Sequence, residues 1–428
     1  MRIISLTFIL FLSSLSVVSQ EWDTLRFMTY NLLYYGEVTN FCTTSNNDIN
    51  EKDTYFKSIA KYVKPDLLLV NEMGASIVYA DRIIEKVLNT DGVNRYKRAP
   101  IQNNSFSDLV NGVFYDKSKL SLLKQDKLTQ ATNGSSIVRA IDICTFYYKD
   151  PYLGPTSDTT FLYLIGMHLK AGSSASDVSA RDIATLSVMD YLVDHYPPGY
   201  YITAGDMNVG GSSEQAFQNF LANSNGDYAM RDPLITGSWS SSSSFAYAHT
   251  QSTHTESGCH SGGGLDDRFD IVLLSQQIMD DTGSVRFVEG SYKTVGNDGN
   301  HYNQSILQGT NNSVPSAVLG ALYEMSDHLP VRLDLRFKRL EQDSDTIPTS
   351  IVRPAQNDWN IGMVNHHLQI SGLGVEDRVV VADLTGRMHY AAKSNGGDLV
   401  VINGFESGVY IVTVSNETMR KTEKVFIP

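Results

Sequence analysis

Short apolar runs alternate with helix-like segments over residues 21–340, and this alternation restricts the fold more than any other feature of the sequence. Strand candidates include LRFMTYN, DLLLVNE, FLYLIGMH, YYITAGD and RFDIVLLS. Three segments between them, such as DVSARDIATLSVMDYLVDHYPPG, carry apolar residues at helical spacing, and two of the three stop at prolines. Strands that alternate with helices are typical of α/β folds, so we expect an α/β domain here.

Polar residues collect at the ends of these strand candidates. Four runs end in them and two begin with them: Asn31, Glu72, His168, Asp206 with Asn208, Asp270, and Asp327 with His328. If the last two strands run antiparallel to the others, all six sets share one rim of the domain. Polar side chains that converge on the tips of rigid strands predict an active site.

The residue types at this rim suit metal-assisted hydrolysis of a phosphate ester. A hard cation such as Mg²⁺ prefers oxygen ligands and keeps several waters, so one or two carboxylates are enough to bind it. Glu72 is the leading ligand and Asp327 a plausible second. The Asn31 amide can bridge the metal, the carboxylates and phosphate oxygens. Mn²⁺ or Ca²⁺ are the alternatives to Mg²⁺.

Hydrolysis also needs a base that activates water, and histidine is the usual choice near neutral pH. His328 is the candidate base, with Asp270 orienting its other ring nitrogen. His168 can donate a proton or a hydrogen bond to the phosphate, and the Asn208 amide can bond its oxygens.

Simpler explanations exist for single residues. Asp270 could pair with the neighbouring Arg268, and Asp206 with Asn208 could form a plain Asx turn. Glu72 could be an ordinary charge at a strand end, and His168 a core or surface histidine. Together and in this order, the residues favour the catalytic interpretation.

The motifs resemble those of the endonuclease/exonuclease/phosphatase superfamily, the fold of pancreatic-type deoxyribonuclease and of apurinic-site endonucleases. The resemblance rests on TYN, LLVNE, MHLKAG, GDMN, RFD and SDH, in family order over residues 26–340. It implies a four-layer αββα sandwich, with two mixed sheets face to face and helices outside, and a Mg²⁺-dependent phosphoesterase. It also implies His328 as general base paired with Asp270, Glu72 as metal ligand, and His168 as phosphate-side acid or stabiliser.

Some positions refine or extend this resemblance. Leu33 stands where apurinic-site enzymes often carry an acid, and His168 stands where they use tyrosine. The sequence therefore resembles deoxyribonucleases and sphingomyelinases more than it resembles apurinic-site enzymes. Arg139 resembles the phosphate-contacting arginine of deoxyribonucleases, or is a surface arginine on a strand. His301, in the polar loop GNDGNHYN, is a further candidate for substrate binding.

A Ser/Gly/His-rich segment, Gly237–Gly264, precedes Asp270. Loops of this length in compact domains are usually functional or disordered. The segment either faces the substrate, or binds a metal through its histidines, or is a solvated flexible loop.

Both ends of the chain predict export from a bacterial cell. Residues 1–19 are typical of a secretory signal peptide, with a membrane anchor as the alternative. Residues 20–340 form the catalytic domain, 341–352 an acidic linker, and 353–428 a small all-β sandwich domain. This last module resembles the sorting domain of the type IX secretion system, which implies that machinery as a partner. The alternative is a generic β-sandwich binding module.

Composition limits the possible partners. The net charge of −13 argues against a protein that binds nucleic acid simply through an overall positive charge. An enzyme that meets phosphodiesters through bound cations remains compatible with it. Three cysteines allow one bridge plus a free thiol, and their pairing is open.

The sequence thus predicts a divalent-metal-dependent phosphodiesterase, secreted or on the outer-membrane surface, that acts as a nuclease on extracellular nucleic acid. Alternatives are a sphingomyelinase-like or small-molecule phosphoesterase, and an inactive secreted binding or adhesion protein. We expect no stable membrane insertion and assume a monomer. DNA or RNA as substrate, and endonuclease or exonuclease action, stay open.

Overall fold

The computed structural model describes residues 22–103, 107–153, 159–222, 225–235, 239, 241–340, 359–364, 367–385, 387–402, 405–416 and 420–427. The chain divides into two compact units, Met1–Gln342 and Asp343–Pro428. The expected signal peptide and linker, residues 1–19 and 341–352, lie outside the described residues, so both stay predictions.

The first unit alternates strands and helices along the chain. Its strands are β1 (Trp22–Tyr35), β2 (Leu67–Gly74), β3 (Tyr96–Arg98), β4 (Leu109–Asp116), β5 (Leu120–Gln130), β6 (Ser136–Tyr148), β7 (Phe161–His168), β8 (Tyr201–Asp206), β9 (Met230–Arg231), β10 (Asp270–Ser275), β11 (Val285–Phe287), β12 (Lys293–Thr294) and β13 (Val331–Lys338). Its helices are α1 (Ile49–Val63), α2 (Ile77–Arg82), extended by a π-helical turn (Ile83–Leu88), α3 (Ala175–His195), α4 (Gln215–Leu221), α5 (Gln276–Met279) and α6 (Ser316–Met325), with short 3₁₀ turns at Gly226–Tyr228 and Ser243–Ala248.

These strands form two mixed sheets. The first has the order β11-β13-β1-β2-β4-β3, with β12 also paired to β13. The second has the order β5-β6-β7-β8-β10-β9. Within the first sheet β1 runs parallel to β2 and antiparallel to β13. Within the second, β7 runs parallel to β8, and β10 runs antiparallel to β8.

Three apolar cores show how the layers stack. The core between the sheets contains inward residues of both, for example Phe27 and Leu69 from the first and Leu164 and Val272 from the second. A second core packs the outer face of the first sheet against α1, α2 and α6. A third packs the outer face of the second sheet against α3 and α4. The predicted four-layer αββα sandwich is therefore confirmed.

Local sequence signals explain where the longer helices begin and end. Asp48 caps α1 by accepting hydrogen bonds from the amides of Asn50 and Glu51, and α1 stops at Lys64 in the left-handed region, just before Pro65. Ser174 and Asp177 form a capping box at the start of α3. Among the helices in the described ranges, none is long and apolar enough to span a bilayer.

The second unit is all-β, as predicted. Its strands are β14 (Asn360–Val364), β15 (His367–Asp383), β16 (Met388–Ile402), β17 (Gly408–Ser415) and β18 (Arg420–Ile427). They form one hydrogen-bonded sheet in the order β14-β15-β17-β18, with β16 also paired to β15. In its described residues the unit is thus a single curled sheet around one core, not two separate sheets.

A buried network of polar side chains crosses between the two sheets of the first unit. Asn71 on β2 donates to Asn111 Oδ1 on β4 at 2.7 Å, and Asn111 Nδ2 donates to Asp142 Oδ2 on β6 at 3.1 Å. Gln125 on β5 donates to the other Asp142 oxygen at 2.8 Å. At the opposite end, Asn71 Oδ1 accepts the backbone amide of Asp206 at 2.9 Å. In this network two neutral amide side chains, Asn111 and Gln125, contact the Asp142 carboxyl group.

Replacing Asp142 by asparagine is expected to stabilise the protein at neutral and alkaline pH. Burial raises the pKa of Asp142 to about 7, against about 3.9 in an unfolded chain. The protonated Asp142 therefore contributes fully to the free energy of unfolding below about pH 4, and this contribution is lost as the pH rises toward about 7. The asparagine side chain of the variant has no charge to bury. Gln125 Oε1 is buried without a hydrogen-bond partner, and after a flip of the Gln125 amide it can accept a hydrogen from the new asparagine.

Denaturant unfolding of wild type and Asp142→Asn between about pH 5 and about pH 8 measures this effect. We expect the free energy of unfolding of the variant, relative to wild type, to rise by about 2–4 kcal/mol across that range. Asp194→Asn, at an exposed position of α3, is the matched control and should show no such trend. A difference that does not change with pH would contradict the prediction.

Candidate active site

Strand direction brings the six polar sets to one rim. Since β7 and β8 are parallel and in register, His168 lies beside Asp206 at the ends of both strands. The antiparallel β10 begins at the same rim, where Asp270 pairs with Asp206. In the other sheet β13 runs antiparallel to β1 with Val331 opposite Thr29, so the segment before β13, which carries His328, lies at the same end as Asn31. The condition stated from the sequence is met.

The centre of the site is a histidine–carboxylate pair. His328 Nδ1 lies 2.7 Å from Asp270 Oδ2, and both side chains are buried. Arg268 does not compete for this carboxylate, because it forms a two-pronged ion pair with Asp232 at 2.5 and 3.0 Å. Asp270 is thus free to hold the imidazole in one orientation.

The charge state of His328 follows from its neighbours. Burial opposes the imidazolium, but Asp270, with Asp206 and Asp327 farther away, outweighs burial and raises the pKa of His328 well above its ordinary value. Neutralising the surrounding carboxylates would bring this pKa down toward the range in which an imidazole accepts a proton at neutral pH.

A second group, opposite this pair, has the spacing of a cation site. One ligand atom from each of Glu72, His168 and Asp206 lies within 4.8 Å of the others. His168 Nε2 is 3.4 Å from Asp206 Oδ2 and 3.8 Å from Glu72 Oε1. Asn31 Nδ2 donates to the same Asp206 oxygen at 3.0 Å. Asp206, expected from the sequence as a catalytic residue, therefore sits among the candidate ligands.

Burial perturbs every member of this group. It raises the pKa of Asp206 to about 7, and it raises the pKa of Glu72, where the charge of Asp327 adds to the effect. Burial, with the charges of Arg139 and His328, lowers the pKa of His168 well below its usual range, so that His168 is neutral. Carboxylates that are unfavourable when ionised and buried indicate a site adapted to a positive partner.

The residues present fit a divalent cation. Glu72 and Asp206 supply carboxylate oxygens, the donors that Mg²⁺ and Mn²⁺ accept. Asp327 Oδ2 accepts from the amide of Ser261 at 2.8 Å and from Gln251 at 3.3 Å. Its Oδ1 is buried and has no hydrogen-bond partner. An orphaned carboxylate oxygen at this rim is what a cation, or water bound to one, would satisfy.

Strained backbone is concentrated at the same place. Glu72 and Asn208 both adopt positive φ, 56° and 51°, which side-chain-bearing residues rarely do. Gly205, with φ 132°, must be glycine because a Cβ there would lie 1.9 Å from the Met167 carbonyl oxygen. The strand before Asp206 can therefore approach β7 closely, which sets the short distance from His168 to Asp206.

A cleft of about 730 Å³ opens over these residues. Arg139 lines it, and its Nη1 donates to the Leu169 carbonyl at 3.1 Å. Asn208 also lines it, with Nδ2 bonded to the same carbonyl at 3.3 Å. The structure thus brings two of the three predicted substrate-binding residues, Arg139 and Asn208, to the cleft wall.

His301 is the predicted site residue that the structure does not bring to this cleft. It is buried, its Nδ1 lies 2.7 Å from Asp298 Oδ1, and its Nε2 lies 2.7 Å from the Gln308 carbonyl. Both ring nitrogens are therefore used within its own loop. The polar composition of that loop, which suggested substrate contact, is explained by these internal hydrogen bonds.

The histidine-rich segment packs onto the site in its described part, residues 239 and 241–264. His254 stacks between His260 and Tyr323, with ring centroids 3.6 and 3.8 Å apart. A disulfide between Cys42 and Cys259 ties the segment to the loop after β1. Its described residues contribute no member to the cation-sized group.

Sequence reasoning missed two residues that touch the site. Gln251 Nε2 lies 2.7 Å from His328 Nε2, the ring nitrogen that does not face Asp270. The Tyr34 amide donates to Glu72 Oε2 at 3.2 Å. Nothing in the sequence marks either residue, because one lies in a low-complexity loop and the other acts through its backbone.

No protein-family model matches this sequence, and no curated protein matches it. Solved structures with a similar fold include the human Nocturnin catalytic domain with bound sulfate, at 12% identity and TM-score 0.47, covering 74% of this chain and 97% of that one. An endonuclease/exonuclease/phosphatase family protein from Bacteroides thetaiotaomicron is 14% identical, with TM-score 0.46, and covers 75% of this chain and 100% of that one. TDP2 of D. rerio complexed with single-strand DNA product is 13% identical, with TM-score 0.43, and covers 73% and 99%.

Proposed function

We propose that this protein is a divalent-metal-dependent phosphodiesterase that hydrolyses nucleic acid outside the cell. The observation that supports this best is the placement of the His328–Asp270 pair and the Glu72–His168–Asp206 group in one buried, acidic cleft. A water-activating base on one side and candidate cation ligands on the other are the parts that phosphate ester hydrolysis requires.

The protein residues have separate tasks in this reaction. Neutral His328 takes a proton from water at Nε2 while the water oxygen bonds to phosphorus, and Asp270 stabilises the resulting imidazolium through Nδ1. The bond from phosphorus to the leaving oxygen breaks, and that oxygen is protonated from solvent. Arg139 and the Asn208 amide lie on the cleft wall, where they can bond the non-bridging phosphate oxygens.

His168 is assigned hydrogen bonding, not proton transfer. Since its pKa is lowered well below the usual range by burial first and then by positive neighbours, it is neutral at physiological pH. A neutral imidazole can donate one hydrogen bond to a phosphate oxygen without losing its proton.

Glu72 and Asp206 would hold the cation, with Asn31, Asp327 and His168 as adjacent donors. When bound, such a cation supplies positive charge to the phosphate and to the leaving oxygen. The carboxylate donors suit Mg²⁺, Mn²⁺ and Ca²⁺ alike. His168 in the same group would favour Mn²⁺, which accepts imidazole more readily than Mg²⁺ does.

The purified protein should be incubated with plasmid DNA, RNA, sphingomyelin and a small bis-phosphodiester, with each cation and with chelator. We expect cation-dependent cleavage of nucleic acid that the chelator abolishes. Cleavage of DNA alone or RNA alone would name the substrate, and closed-circular plasmid cut to nicked and linear forms would identify an endonuclease. If no phosphodiester were hydrolysed, the proposal would be contradicted and a binding or adhesion protein would be favoured.

One observation favours a lipid phosphodiesterase as the second candidate. Phe41 is 73% exposed and Val38 is 62% exposed, on the loop that Cys42 ties to the cleft-lining Cys259. Exposed apolar side chains near a cleft are suited to insertion into a lipid interface. Cleavage of sphingomyelin in vesicles that falls strongly in Phe41→Ser, with the small diester still cleaved, would move the substrate to lipid.

We further propose export through a signal peptide and the type IX machinery, on the resemblance of residues 353–428 to its sorting domain. In a bacterium with that machinery, the protein should reach the medium or the outer-membrane surface without residues 1–19 and without the C-terminal module. Mass spectrometry of the exported protein tests both cleavages, and retention of the intact chain inside the cell would contradict them.

A further inference from the structure

A strained bulge at the end of β1 faces Glu72. The pairing of β1 with β2 shifts register between Asn31 and Tyr35, which pair with Asn71 and Met73, so three residues of β1 lie opposite Glu72 alone. Two of the three, Leu33 and Tyr34, have positive φ of 48° and 50°. Left-handed backbone is unfavourable for a residue with a side chain, because its Cβ comes too close to the following carbonyl oxygen. Two such residues in succession need other contacts that stabilise this backbone conformation.

The bulge has a direct effect on the carboxylate. It turns the Tyr34 amide toward Glu72, and the two groups form a hydrogen bond of 3.2 Å. The Leu33 amide meanwhile donates to Asn31 Oδ1 at 3.0 Å. An amide aimed at one carboxylate oxygen restricts the rotamers of the side chain and leaves the other oxygen to face the cleft.

A buried lysine holds the bulge from behind. Lys52, on α1, is only 3% exposed, and its Nζ donates to the Leu32 carbonyl at 2.7 Å and to the Leu33 carbonyl. In the part of the chain that the structure describes, Lys52 forms no ion pair with a carboxylate. Burial lowers its pKa to about 7, which shows that the ammonium is costly to keep in this position.

We propose that Lys52 is a positioning residue of the cation site, which fixes Glu72 by holding the Leu33–Tyr34 bulge. This inference rests on the proposed function, in which Glu72 is a metal ligand. Lys52 touches neither the cation group nor the substrate cleft directly. Its hydrogen bonds act through the carbonyls of the bulge on the Tyr34 amide, and through that amide on the carboxylate, while its charge also attracts Asp327 and Glu72.

Lys52→Met tests the proposal, because methionine keeps the length and removes the ammonium donor. Isothermal titration of the full chain with Mn²⁺ should show a Kd at least about 10-fold weaker than wild type, the size expected for loss of an outer-shell partner. At limiting Mn²⁺ the variant should hydrolyse the small bis-phosphodiester more slowly than wild type. Saturating Mn²⁺ should restore most of that lost rate. Lys57→Met, on the same helix but paired with Asp91 at the surface, is the control and should bind Mn²⁺ normally.

A rescue variant separates positioning from general stability. Glycine adopts positive φ without penalty, so adding Leu33→Gly to Lys52→Met should recover part of the lost Mn²⁺ affinity, about 3-fold or more. A merely structural role of Lys52 predicts no recovery. Asn47→Ala removes a second support of the bulge, the 3.0 Å bond from Asn47 Nδ2 to the Tyr34 carbonyl. It should weaken Mn²⁺ binding even where Lys52→Met does not fold.

The outcomes separate this inference from the proposed function. Wild-type Mn²⁺ affinity in both Lys52→Met and Asn47→Ala would overturn the positioning role and leave the hydrolase proposal intact. A wild-type protein that binds no divalent cation and hydrolyses no phosphodiester would overturn the function itself, and the role of Lys52 with it.

Discussion

Replacement of His328 by alanine is expected to reduce phosphodiester hydrolysis about 10³-fold at saturating substrate and cation. The variant loses the base that takes the proton from water, and Asp270 is left as a buried carboxylate without its 2.7 Å partner. A loss of this size corresponds to about 4 kcal/mol of transition-state stabilisation. Initial rates on the small bis-phosphodiester measure it without interference from polymer length.

Two controls make this result specific. His195→Ala removes an exposed histidine at the end of α3 and should leave the rate unchanged. Titration with Mn²⁺ should show that His328→Ala still binds the cation, since His328 is not a member of the cation-sized group. If the folded, Mn²⁺-loaded variant hydrolysed the diester at the wild-type rate, His328 could not be the base.

Replacement of Glu72 by glutamine is expected to weaken Mn²⁺ binding about 100-fold or more, because loss of a direct carboxylate ligand exceeds the 10–100-fold effect of an outer-shell change. Glutamine has nearly the same shape and can still accept the Tyr34 amide bond. Hydrolysis at limiting cation should fall with the affinity, and excess cation should restore only part of it.

The same variant should be at least as stable as wild type when no cation is present. Burial, with the charge of Asp327, raises the pKa of Glu72, which means that its ionised form is unfavourable in the folded protein. Removing that charge relieves the cost, as is common for residues kept for function. Thermal unfolding in chelator and titration with Mn²⁺ measure the two effects, with Glu51→Gln, at an exposed position of α1, as control. Unchanged Mn²⁺ affinity would show that Glu72 is not a ligand.

The four-layer fold was predictable because its signals are local. The runs that became β2, β7 and β8 are apolar enough to be buried on both faces, and the segments that became α1 and α3 show helical spacing and stop at proline. Polar residues at the ends of those runs mark one rim, provided that the strand directions are known. The structure supplies the directions, with β10 and β13 antiparallel to their neighbours.

Other residues could be assigned only from three-dimensional contacts. His301 was expected in the site on the composition of its loop, yet both of its nitrogens bond within that loop. Gln251 was not expected, yet it lies against His328. For Lys52 a weak signal exists, since it falls four residues before Phe56 on the buried face of α1. That spacing indicates an unusual lysine but does not say what it binds.

The sequence by itself determined the order of strands and helices, the polar residues at strand ends, and hence the chemistry that the rim can support. These depend on hydrophobic periodicity and on residue type, which are properties of short segments. The tertiary structure alone decided which carboxylate faces which imidazole, the Cys42–Cys259 pairing, and the bulge that aims the Tyr34 amide at Glu72. Each of these joins segments far apart in the chain, and their distances are set by how the two sheets and α1 pack, which no local pattern encodes.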